Sequence, residues 1–136
     1  MLTAAERLEQ LERAIDDLRE ISESTPIIVE GKRDVDALRT LGVVKNVRSL
    51  NRGETVFVFC ENLARYCRRA AILTDWDRRG GQLGRKLKSA LQANGVKVDT
   101  DIRTQIVILS KKEIKDIEGL PAFIERLRDS ISRRFR

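Results

Sequence analysis

The chain has 136 residues, 41% apolar and 35% charged, with a net charge of +6. That length suits one domain around one core, and no apolar run approaches the ~20 residues of a membrane helix. The opening Met1-Leu2-Thr3-Ala4-Ala5-Glu6 has neither the basic nor the apolar segment of a signal peptide, which predicts a cytoplasmic protein.

Histidine is absent. This removes the commonest general base, the usual zinc ligand and every imidazole-based triad. Chemistry is left to carboxylates, lysines, arginines and a metal.

Leu8, Leu11, Ile15, Leu18 and Ile21 recur at helical spacing and predict a helix over roughly 3–22. Thr3 with Glu6 reads as its capping box, and Glu9 with Arg13 as an i,i+4 pair. The stripe is expected to pack on the chain's own core. Pro26 disfavours helix in the residue before it, so the segment from Ser22 to Thr25 is the break. Residues 1–24 thus form an N-terminal amphipathic helix. An α/β domain at 25–128 and a basic tail at 129–136 follow.

Ile27-Ile28-Val29 has the short β-branched form of a buried parallel strand. Arg33 to Leu41 reads as a helix with Val35 and Leu38 inward, stopped by Gly42. Val43 to Leu50 reads as a strand, and Asn51-Arg52-Gly53 as a turn. Val56, Phe59, Cys60, Leu63 and Cys67 share a helical face, which predicts a helix over 55–68 despite strand-like propensity. On one helix Cys60 and Cys67 would lie ~10 Å apart, too far for a disulfide. They read as small buried apolar residues.

Ala70 to Thr74 is a third strand. Gly81 to Asn94 is a helix with Leu83, Leu87 and Leu91 inward, ended by Gly95. Val96-Lys97-Val98 is a fourth strand. Residues 101–110 fit either helix or strand. Pro121 to Leu127 is a helix with Phe123, Ile124 and Leu127 inward, followed by a frayed tail at 133–136. This alternation predicts a three-layer α/β/α sandwich around a mostly parallel sheet of about four strands.

Charge is uneven. Residues 1–24 hold seven acids and three bases, while residues 65–88 hold eight bases against Asp75 and Asp77 alone. Glu30, Asp75 and Asp77 fall where apolar runs break into turns, and in parallel sheets functional groups collect beyond the carboxyl ends of strands. Unscreened carboxylates ~5 Å apart repel by roughly 3 kcal/mol at an effective dielectric of ~20. A divalent cation between them is the usual remedy, and basic surroundings suit a polyanionic substrate. Gly80 and Gly81, read as preceding a helix at 82–94, would leave N–H groups for a phosphate. Trp76 either stacks on a base or packs on a neighbouring helix. Asp34 reads as a cap for the helix that follows it.

Ile28-Val29-Glu30-Gly31-Lys32-Arg33-Asp34, with Leu73-Thr74-Asp75-Trp76-Asp77-Arg78-Arg79-Gly80, resembles the Toprim domain. That Rossmann-related module occurs in topoisomerases, bacterial-type primases, old-family nucleases and a ribosomal RNA maturation nuclease. The first motif is nearest the maturation nuclease, the second the primases. The likeness spans about residues 27–98, and Asp116-Ile117-Glu118-Gly119 extends it in the nuclease manner. The whole chain resembles the small stand-alone Toprim proteins of prokaryotes.

The resemblance implies Mg²⁺ or Mn²⁺ held by Asp75 and Asp77, whose side chains project to the same side if the segment is extended. Glu30 would be a further ligand or the general acid/base. Lys32, Arg33, Arg78, Arg79, Gly80 and Gly81 would contact phosphate. The implied function is Mg-dependent phosphoryl transfer on DNA or RNA, as a nuclease or nucleotidyltransferase. The alternative is a non-catalytic Mg- and nucleic-acid-binding adaptor, with protein partners in an RNA-processing, replication or repair complex. Topoisomerase activity is excluded: Arg79 stands where those enzymes have a third acid, and Tyr66, the one tyrosine, lies in a predicted helix. A dinucleotide-binding reading lacks its Gly-x-Gly-x-x-Gly.

Overall fold

The computed structural model describes residues 1–50 and 53–134. The chain runs α1 (Ala4–Ile21), β1 (Ile27–Val29), α2 (Lys32–Thr40), β2 (Val47–Ser49), α3 (Val56–Ala64), β3 (Arg69–Ile72), α4 (Arg78–Ala93), β4 (Lys97–Asp99), α5 (Asp101–Ser110) and α6 (Leu120–Arg134). The four strands are all parallel in the order β2-β1-β3-β4.

Successive strand residues face opposite sides, and each side has its own core. Ile27, Val29, Ala71 and Leu73 pack with Leu11, Leu18, Leu38, Ile106 and Phe123, drawn from α1, α2, α5 and α6. Ile28, Ala70 and Ile72 pack with Phe59, Cys60, Leu87 and Leu91, drawn from α3 and α4. The expected three-layer sandwich is thus the architecture found. The N-terminal stripe packs on the chain's own core, through α5 and α6. The capping box at Thr3 and Glu6 forms, as does the Glu9–Arg13 pair at 3.0 Å.

Element ends differ from expectation for local reasons. The second strand is confined to Val47–Ser49 rather than 43–50. Gly42 takes φ +84°, Val43 then bonds back to the Leu38 carbonyl, and Asn46 takes φ +54°. The chain is therefore still turning until Val47. The third helix ends at Ala64, not at 68, because Arg65 and Tyr66 close tight turns onto Asn62 and Leu63 before β3. Cys60 and Cys67 therefore do not share a helix. Both are free, Cys60 buried and Cys67 half-buried. Residues 101–110 are helical, with Ile102, Ile106 and Leu109 buried on one face and Ile108 exposed. The last helix is longer than 121–127, reaching Arg134. Of the expected turn at 51–53, Asn51 and Arg52 lie outside the described residues, as do Phe135 and Arg136 of the tail.

Candidate functional site

β1 and β3 are neighbours and parallel, so the residues just past them meet at one edge of the sheet. Glu30 follows β1 and is nearly enclosed, its side chain 14% exposed. Its Oε2 accepts the Asp75 backbone N–H at 2.7 Å, across 45 residues of sequence. Asp75 Oδ1 is buried without a hydrogen-bond partner. An unpartnered buried carboxylate oxygen is costly. Burial pushes the Asp75 carboxyl up to about 7, with the charges of Glu30, Asp34 and Asp116 adding to the effect.

Asp34 is 8% exposed. Its Oδ2 accepts the Gly31 N–H at 3.1 Å and closes a capping box on α2, the role read from sequence. Its own carboxyl is raised mainly by burial, despite the Gly31 bond, and further by Glu30, Asp116 and Glu118. The segment 116–119 thus does reach the edge. Asp116 Oδ1 accepts the Gly119 N–H at 2.8 Å just before α6.

Asp77 stands apart. It is the N-cap of α4, and its Oδ1 accepts the Gly80 N–H at 2.7 Å. The expectation that Asp75 and Asp77 project together assumed an extended segment. Instead β3 ends at Ile72, the Trp76 N–H bonds the Lys115 carbonyl at 2.8 Å, and the helix starts at Arg78. Among the described residues no three His, Cys, Asp or Glu side chains are arranged to hold a metal ion.

The glycines also play a different part. α4 begins three residues before Gly81, so Gly80 and Gly81 lie within its first turn. The Gly80 N–H is taken by Asp77 Oδ1 and the Gly81 N–H by the Asp77 carbonyl at 2.9 Å. Neither N–H is left for a phosphate. Gly80 is required by close approach, since a Cβ there would stand 2.0 Å from the Asp75 carbonyl oxygen. The exposed Arg78 and Arg79 open α4, as the exposed Lys32 and Arg33 open α2. Two helix N-termini with basic first turns therefore border the same edge, an arrangement that favours anions. Arg79 Nη2 lies 3.7 Å from Glu30 Oε1, and Arg33 Nη1 3.7 Å from Glu118 Oε1.

Arg103 was not singled out from sequence. From α5 it donates Nε to the Thr74 carbonyl at 2.8 Å and Nη2 to the Asp75 carbonyl at 2.6 Å, holding the turn that carries Asp75. No local signal marks it, since the segment 101–110 also carries Asp101, Thr104, Gln105 and Ser110. Trp76 packs rather than stacks, its Nε1 donating to the Ile114 carbonyl at 3.0 Å. Tyr66 lies past the end of α3, 87% exposed, among residues at the amino ends of the strands. It is on the opposite edge from Glu30 and Asp75.

The raised Asp75 carboxyl sets a pH dependence. Its ordinary value is near 3.9, so without metal the folded state holds a proton that the unfolded state has released. The contribution is fully present below about pH 4 and is lost as pH rises through about 7. In EDTA, melting temperature should fall between pH 4 and pH 7.5. In Asp75→Asn that decline should be much smaller, as calorimetric scans would show.

The fold and site thus define a parallel α/β sandwich with two carboxylates, Glu30 and Asp75, beyond adjacent strands and basic helix starts beside them. The chain belongs to the UPF0292 family: it is 43% identical to a UPF0292 protein of Methanosarcina barkeri over 90% of its own length and 85% of the relative's. No family model matches it. Among solved structures it is similar to a putative protein from Aquifex aeolicus, with a TM-score of 0.67 and 31% identity over 79% of this chain and 94% of that one. It also superposes on the zinc-binding and RNA polymerase domains of the Aquifex aeolicus primase with a TM-score of 0.49 and 23% identity, covering 28% of that chain. So loose a likeness carries no functional argument.

Proposed function

We propose that the protein is a Toprim-type, Mg²⁺-dependent phosphoryl-transfer protein acting on nucleic acid. The observation that carries this is the buried, unpartnered Asp75 Oδ1 beside the nearly enclosed Glu30. Hard oxygen donors suit Mg²⁺, which is commonly held by one or two carboxylates and completes its shell with water and substrate phosphate. The residues present fit such a site with Glu30 and Asp75 as ligands and Asp77 as a cap. When bound, the ion supplies charge neutralisation at the phosphodiester. Lys32, Arg33, Arg78 and Arg79 would bind and orient the strand. Arg103 would keep the Asp75 turn in place.

Glu30→Gln tests the reading, because glutamine keeps the acceptor for the Asp75 N–H while removing the charge. Mg²⁺ should raise the melting temperature of the wild type and not of this variant. Nuclease and nucleotide-incorporation assays with Mg²⁺ or Mn²⁺ should lose about 100-fold or more. Wild-type protein that is inert in both assays and indifferent to Mg²⁺ contradicts the proposal.

One observation favours a second reading. With no three-carboxylate group among the described residues, the edge could bind a metal and phosphates without turning substrate over. Nucleic-acid binding that falls steeply with salt, requires Mg²⁺ and yields no product would select this adaptor role.

A further inference from the structure

The opposite edge of the sheet is also indented. Between β2 and the last turns of α3, at the amino ends of β1, β2 and β3, lies a cavity of about 740 Å³. Its volume falls in the ~300–1,000 Å³ range of small-ligand sites. Phe59, 8% exposed, and Leu63 supply apolar surface. The charged wall is basic, formed by Arg48 on β2 together with Arg68 and Arg69 at the start of β3. Glu54 is the one acid among its described lining residues.

These cations differ in how far they are engaged. Arg68 Nη1 donates to the Ala64 carbonyl at 3.1 Å, at the end of α3. Arg48 and Arg69 are exposed and make no side-chain hydrogen bond or ion pair among the described residues. Arg69 also stands in register with Lys97 on the next strand, ~4.8 Å away by strand spacing, and the two line an adjoining cleft with Asp99 and Asp101. Tyr66, the most exposed aromatic residue described, lines the same cavity. An uncovered ring in one cavity with exposed guanidinium groups matches a base joined to a phosphate. The ring stacks on the base, and the planar guanidinium donates in pairs to phosphate oxygens.

We propose that this cavity is a metal-independent nucleotide site, with Tyr66 against the base and Arg48 and Arg69 on the phosphate. A free nucleotide and one nucleotide of a single strand share this chemistry. The site is remote from Glu30 and Asp75, and it stands or falls separately from the metal reading.

The test is calorimetric titration of the full chain in EDTA with ATP, adenosine, sodium tripolyphosphate and single-stranded tetra-adenylate. ATP should bind about tenfold or more tighter than adenosine or tripolyphosphate, since both halves of the ligand are engaged. Tyr66→Ala should reduce ATP to the affinity of tripolyphosphate, and Tyr66→Phe should retain it. Arg48→Ala and Arg69→Ala should each weaken ATP about tenfold, at unchanged melting temperature because both side chains are exposed. Glu30→Gln should change none of these values. Tetra-adenylate binding tighter than ATP, with the same dependence on Tyr66, assigns the cavity to a strand; weaker binding assigns it to a free nucleotide. Equal affinity for ATP and tripolyphosphate in the wild type overturns the proposal. So does wild-type ATP binding by Tyr66→Ala or by both arginine variants.

Discussion

Gly80→Ala should destabilise the protein by about 3 kcal/mol or more, while Gly81→Ala, one residue later, should be neutral or slightly stabilising. The two glycines are equivalent in sequence and share the first turn of α4. A Cβ at Gly80 would sit 2.0 Å from the Asp75 carbonyl oxygen and 2.9 Å from its Cα, contacts that only backbone movement relieves. The nearest atom to a Cβ at Gly81 is Arg85 Nη1, at 3.6 Å on a flexible side chain. In helical geometry alanine there gains up to ~1 kcal/mol over glycine. The movement forced at Gly80 displaces the Asp75 carbonyl that Arg103 Nη2 binds at 2.6 Å. Stability and Mg²⁺ response should therefore be lost together. Urea denaturation of both variants, with and without Mg²⁺, checks this. Equal stabilities would show that α4 does not hold this close approach in solution.

Asp75→Asn should produce opposite effects with and without the ion. In EDTA at pH 8 the wild type holds the Asp75 charge at a site where burial and the neighbouring carboxylates raise its carboxyl to about 7. Neutralising it should stabilise the metal-free protein by about 2 kcal/mol, after discounting the shift for partial solvation. In saturating Mg²⁺ the order should reverse, because the variant gains no stabilisation from the ion. Any phosphoryl-transfer activity should fall by more than about 100-fold. Thermal scans across a Mg²⁺ titration report both effects. If the variant and the wild type gain equally from Mg²⁺, Asp75 is not a ligand, and its raised carboxyl is a structural cost without a metal function.

Much of the carboxyl edge was legible from local pattern. Glu30 and Asp75 each end a β-branched or alanine-rich run, and strand-helix alternation places such ends on one side of a parallel sheet. Asp34 was read as a cap for the helix that follows it; it does cap α2, but from the third helical position, by accepting the Gly31 N–H. Spacing alone could not assign Asp77. An Asp-x-Asp pair looks the same whether it continues a strand or caps a helix, and the choice turns on where β3 stops. The glycines misled for the same reason: starting α4 at Arg78 rather than Gly81 converts apparently free N–H groups into occupied ones. Arg103 was invisible because its partners are carbonyls 28 and 29 residues away. The cavity around Tyr66 was hidden by extending α3 to residue 68.

The sequence by itself determined the parallel α/β layering, the caps of the first two helices and the two acids that meet across the sheet. These follow from side-chain periodicity and short-range hydrogen bonding, which act over a few residues. Only the tertiary structure decided that Asp77 serves the helix, that Gly80 answers to a carbonyl, that Arg103 clamps the Asp75 turn and that three arginines line one wall of a cavity at the far edge. Those outcomes depend on distances between segments brought together by packing, and no local pattern along the chain encodes such distances.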